Sequence, residues 1–364
     1  MPDLSVCNTA PDRSPVERVA DAVLYEGYLL YPYRPSSVKN RQRWTFGGVY
    51  PRAYSLAQPG ADAWEMRTEC LALGGPKTTL RVRLRFLHLL ERSPGELTPP
   101  LAAWPASGEP AFRPVEMLRV GDRTYPAWQE AVERDILLET SLAELLDQPR
   151  RHPFSLAAGR TLEPVSTSDG KIGGVLVRRQ EGIEGEVELT ACPAGEGLVL
   201  LGVCVRNLTP LDEADRDNRD AALPRTLVST HAIIQAQRGS FISMTDPPEP
   251  YRAAAAQCRN VGAWPVLAGE AGATDTLLCA PIILPDYPQV APESPGDLFD
   301  ATEIDEILTL RILTLTDEEK RELCAADERA RRMLERTEAL AREQLLGLHG
   351  TVRTLRPLRA EGQV

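Results

Sequence analysis

The chain has few of the groups from which recognisable active sites are built. It holds four histidines and seven cysteines (7, 70, 192, 204, 258, 279 and 324), and no two cysteines form a C-x-x-C pair. Without a Cys/His cluster no zinc site is legible. The strings G-x-S-x-G, H-E-x-x-H and G-x-G-x-x-G and the P-loop are also missing. Ile172-Gly173-Gly174-Val175 is a strand glycine pair, not a phosphate cradle. Positive charge is in deficit: 41 Lys and Arg stand against 52 Asp and Glu, a net charge of −11. That excludes a general binder of nucleic acid or anionic membrane, which needs a basic field. The longest apolar run, near Leu198–Val205, is far short of the roughly 20 residues of a membrane span. The first residues lack a positive region followed by an apolar one, so no signal peptide is expected. The odd, scattered cysteines read as reduced thiols of a cytoplasmic protein. Cys70, Cys204 and Cys279 lie in apolar surroundings and are expected in the core.

What the chain does have is proline, glycine and alternation. Its 31 Pro and 26 Gly imply many turns and short elements. Thr78–Leu90 is the clearest strand, with Arg81, Arg83 and Arg85 on one face and Leu80, Val82, Leu84 and Phe86 on the other. Ala22–Arg34, Arg41–Tyr50 and Trp64–Ala72 also read as strands, followed by a Pro-rich loop over Ser93–Pro114. Val115–Val120 and Arg123–Trp128 form a hairpin about Gly121-Asp122, and Val132–Leu146 is ambiguous between strand and helix. Strands are predicted at Ile172–Arg179, Gly185–Thr190 and Leu198–Asn207. A hairpin is predicted from Leu227–Gln237 and Ser240–Met244 about Arg238-Gly239, and a short helix over Pro250–Cys258. Thr316-Asp-Glu-Glu319 is a capping-box pattern that opens C-terminal helices. The expected class is therefore α+β, a predominantly antiparallel sheet body with a helical C-terminal element. Its parts are a disordered lead-in (1–18), an N-terminal β-rich domain (19–158), a second β-rich domain (159–290), and an acidic connector with C-terminal helices (291–364).

Three groups of residues invite a functional reading. From Asp286 to Glu306 the chain carries seven carboxylates and no Lys or Arg. Clustered acids suit a hard cation, but acids ahead of a helix also complement its positive end. The calcium-loop pattern is absent, and Asp215-Arg-Asp217 fails it too, because Asp220 stands where glycine is required. Arg34, Lys39, Arg41, Arg43 and Arg52 form a basic run interleaved with Tyr28, Tyr31, Tyr33, Trp44, Phe46, Tyr50 and Tyr54. It reads as a solvated Arg face or as a protein-partner surface, with docking onto the acidic segment as one form of the latter. The candidate interaction residues are Arg34, Lys39, Arg41, Arg43, Asp297, Asp300, Glu303, Asp305 and Glu306. The third candidate is His231, which could serve as base to a thiol such as Cys258. His231 and His88 each interrupt an apolar strand, which equally suits a hydrogen-bonded structural residue. No catalytic, cofactor or metal residue is assigned.

Two stretches carry a resemblance: V-L-Y-E-G-Y-L-L-Y-P-Y-R with Lys39-Asn40-Arg41, and A-P-E-S-P-G-D-L-F-D-A-T-E-I-D-E-I-L-T-L-R-I-L-T-L-T-D-E-E-K. With Trp64–Leu71 they make the chain resemble a family of uncharacterised bacterial proteins, mainly actinobacterial. Its members are encoded beside a nickel–iron hydrogenase and its maturation genes. The resemblance covers most of residues 20–340 and supplies no site residues. It implies an accessory or scaffold protein in hydrogenase assembly or maturation, acting through contacts with hydrogenase subunits or maturation factors. The chain departs from a metallochaperone pattern, since it has no His-rich tract and no paired Cys. The alternatives are an enzyme or metal-binding protein with a non-local site, using the 293–306 carboxylates or His231, and a structural subunit of a larger, self-associating assembly.

Overall fold

A computed structural model describes residues 14–25, residues 44–289 apart from 59, 61 and 122, and positions 315–317, 320, 331, 334, 335 and 338. The first element is helix α1 (Pro15–Leu24), capped by Ser14, whose Oγ accepts from the Glu17 N–H at 3.3 Å. Val16, Val19, Ala20, Val23 and Leu24 recur at helical spacing and form its apolar stripe. Ala22–Leu24 therefore close a helix rather than open a strand, and residues 15–18 of the expected lead-in are its first turns. Helix α2 (Arg52–Ala57) follows.

Strand β1 (Glu65–Leu101) then runs for 37 residues. After it come β2 (Arg113–Pro114), β3 (Met117–Val120), β4 (Arg123–Pro126) and β5 (Trp128–Ser141), helix α3 (Leu142–Asp147), and β6 (Arg150–Leu156). The chain continues through β7 (Gly159–Ser166), β8 (Ile172–Gln180), β9 (Ile183–Gly195) and β10 (Leu198–Asn207) to helix α4 (Arg219–Ala222). The last described elements of the body are β11 (Val228–Phe241), helix α5 (Arg252–Ala255), β12 (Trp264–Leu267) and β13 (Thr276–Ala280). Eleven strands form one antiparallel sheet along the path β12-β13-β11-β1-β10-β9-β6, with β2, β5 and β8 also on β1 and β7 on β8; β3 and β4 form a separate hairpin.

Strand β1 sustains this by changing partners along its length. It pairs with β10 over Glu65–Leu73, β11 over Ala72–Leu87, β5 over Thr79–Arg92, and β8 over Glu91–Leu101. A strand has two hydrogen-bonding edges. Because β10 and β11 overlap at 72–73, β11 and β5 at 79–87, and β5 and β8 at 91–92, one edge serves β10 and then β5. The other serves β11 and then β8. Pro76 lies in the register shift between Gly74 and Thr79, and Pro99 and Pro100 in that between Glu96 and Leu101. A proline has no N–H to donate, so it belongs where the ladder is already interrupted.

The two limbs of the sheet face each other across the main core. Leu80, Val82, Leu84 and Phe86 of β1 pack in one cluster with Val199, Leu201, Val203 and Val205 of β10 and with Val187 and Leu189 of β9. The rings of Phe86 and Phe154, on β1 and β6, lie 6.2 Å apart. Gly185 of β9 lets Phe154 settle against the backbone: a Cβ there would strike the Phe154 ring and sit 2.9 Å from the Arg206 carbonyl. Helix α3, opened by a Ser141/Glu144 capping box, drives Leu142 and Leu145 into the same core. The ambiguous stretch Val132–Leu146 is thus strand as far as Ser141 and helix beyond it.

The expected class needs correction. The structure is 52% strand and 17% helical, mostly antiparallel β, and its helices are short. The helical C-terminal element expected beyond Thr316 falls almost wholly outside the described residues, so the fold described is the sheet with its short helices. Two local expectations change as well. Ser93–Leu101 belongs to β1 rather than to a Pro-rich loop, because β8 and β2 take up its backbone. Arg238-Gly239 is not a hairpin turn: β11 runs straight through it and pairs with β1 on both sides, while Arg238 takes a φ of 60° at the bulge. The 115–128 hairpin and the strands at 172, 185 and 198 stand where the alternation placed them. Ladders also cross the expected division near residue 158, since β6 pairs with β9 and β1 with β8, β10 and β11.

The core should be unforgiving and the surface tolerant. Leu84→Ala, at a side chain with no exposure, is expected to cost about 2–5 kcal/mol. Leu137→Ala, at a side chain on β5 that is 56% exposed, should stay within about 0.5 kcal/mol. Urea denaturation followed by circular dichroism distinguishes them.

Candidate functional site

The nine candidate interaction residues, Arg34, Lys39, Arg41, Arg43, Asp297, Asp300, Glu303, Asp305 and Glu306, all lie outside the described residues. Of the two runs they belong to, two ends are described. Arg52 stacks its guanidinium over the Trp64 ring at 4.8 Å. Asp286 is a structural acceptor for the Leu267 N–H (2.8 Å), the Thr245 hydroxyl (2.7 Å) and the Ser243 hydroxyl.

The charged cluster that the structure does assemble lies beneath α1. Alternation on β1 puts Arg81, Arg83 and Arg85 on the face away from the main core, as expected. On β5 the same period sets out Glu133, Asp135 and Glu139. Arg81 meets Glu139 directly across the ladder at 2.8 Å. Arg83 reaches diagonally to Asp135 through two hydrogen bonds, and Arg85 diagonally to Glu133 at 3.4 Å. A second set of acids descends from the helix. Glu17 contacts Arg83 at 3.3 Å, Asp21 contacts Arg85 at 2.8 Å, and the Tyr25 hydroxyl donates to Glu133 at 2.5 Å. The spacing 17, 21, 25 is one helical stripe. Its signal in the sequence was E-x-x-x-D-x-x-x-Y, visible only once the Ser14 cap sets the helix. The bonds to Asp135 hold the Arg83 guanidinium above its ordinary pKa. The outermost pair, Arg81–Glu139, contributes little, at most about 1 kcal/mol, because both side chains are half exposed. Arg85 differs: its side chain is 5% exposed, so stripping its partners would strand a buried charge.

His231 stands opposite Arg85 on β11, on this same face. It follows a bulge, since the register shifts between Arg85 and Leu87 and Ser229 takes a φ of 51°. The segment before β1 pins that bulge: the Ser229 N–H donates to the Phe46 carbonyl and the Thr230 N–H to the Gly47 carbonyl, each at 3.0 Å. The His231 side chain has no exposure, and burial lowers its pKa to about 4. Its Nδ1 lies 2.8 Å from the Ser229 carbonyl. A carbonyl only accepts, so Nδ1 carries the proton and Nε2 keeps a lone pair. That Nε2 has no partner among the described residues.

This arrangement does not suit a thiol–imidazole site. Cys258 packs on a different cluster, against Leu71, Leu198 and Ile242, and its Sγ–H donates to the Ala254 carbonyl. Burial raises its pKa to about 11, so at neutral pH it is a thiol and not a nucleophilic thiolate. Cys70, Cys204 and Cys279 are buried as expected, and burial raises each of them, Cys279 to about 12. His88 is also fully buried on β1, its Nε2–H donating to the Glu181 carbonyl at 2.9 Å. Burial lowers its pKa to about 4. Among the described residues no three His, Cys, Asp or Glu side chains converge on a metal position. No described helix is long and apolar enough to cross a membrane.

A histidine held neutral by the fold imposes a sign on stability. The folded pKa of His231 lies below its unfolded value, so between about 4 and 6.5 the unfolded chain binds more protons. Its contribution is present above the unfolded pKa and is lost as pH falls towards 4. Between pH 7 and pH 5 the chain should lose roughly 2 kcal/mol through His231. In His231→Asn, which keeps a donor for the Ser229 carbonyl, the urea midpoint should fall less over that interval. Compared with known proteins, the chain matches no family model and no curated sequence.

Proposed function

We propose that this chain is a non-catalytic scaffold that acts by binding protein. Following the resemblance of its sequence, we propose that the partner is a nickel–iron hydrogenase subunit or a maturation factor. The observation that carries the reading is the way α1 lies on the sheet. An amphipathic helix lies on the sheet, with an apolar stripe packed on Ile233, Val266, Leu278 and Ala280 and two acids on Arg83 and Arg85. Docking of an amphipathic helix on an apolar surface is a common mode of recognition between proteins, and the packing of α1 on this sheet supports that reading. The burial of His231 and the protonated state of Cys258 favour binding over thiol chemistry at these positions.

Affinity capture of the full chain, under native conditions from cells that contain a nickel–iron hydrogenase, tests the proposal. Hydrogenase subunits or maturation factors should be recovered stoichiometrically and should survive washing at moderate salt. Recovery of neither counts against the proposal.

A further inference from the structure

No further inference is drawn: the strongest candidate, the outer edge of β5 with Glu133, Asp135, Leu137 and Glu139 on one face, carries nothing, because its acids already pair with Arg85, Arg83 and Arg81 and nothing in the structure shows what covers that edge.

Discussion

Everything in this molecule hangs on the backbone ladder of one strand. Strand β1 is hydrogen-bonded along both edges, and it hands each edge from one partner to the next without ending. Its first limb builds the layer with β10, β9 and β6. Its middle builds the layer with β11, β13, β12 and β5, and its last stretch carries β8 and β7. The limbs face one another because β1 is irregular at Gly74–Thr79, where Gly-Gly-Pro cannot keep a continuous ladder. Burial then follows alternation. Even-numbered residues from Leu80 to Phe86 enter the main core and odd-numbered ones face α1, so each residue of this strand supports one layer or the other.

The polar side of β1 explains how a chain with a charge of −11 closes around its arginines. Most described arginines on the sheet meet carboxylates on a neighbouring strand rather than solvent. Arg92 and Arg178 share Glu130, and Arg206 gathers Glu65, Glu186 and Glu188. These pairs do little for stability at the surface, where water competes. Their weight is in register. A one-residue slip of β5 against β1 would move every acid of β5 to the wrong face and leave the buried Arg85 with Asp21 of α1 alone. The cluster under α1 is the extreme of this pattern, because there the second set of acids comes from a helix and not from a strand.

The reactive side chains of the sheet are buried and held in their neutral forms. His231, Cys258, Cys70 and Cys279 are the groups a chemist would examine first. Burial sets each in its neutral form. The sheet holds α1 through Val19, Ala20 and Val23 on one cluster, Leu24 in a second, and two arginines.

The sequence by itself determined the strands with clean alternation, the single face of Arg81, Arg83 and Arg85, the core position of three cysteines, and the 115–128 hairpin. Those features depend on neighbours in sequence: period, turn residues and local apolarity. The tertiary structure decided the rest. Nothing local told that Ser93–Leu101 would be paired, since its partners lie in β8 and β2. Nothing local told that Arg238-Gly239 would be a bulge in one strand, since the opposing bulge is about 160 residues away at Gly74–Thr79. The partners of Arg85 come from α1 and β5, and the bulge that sets His231 beside it is pinned by Phe46 and Gly47. Periodicity specifies which way a side chain points. Only the paired sheet, through long-range hydrogen bonds, specifies what it points at.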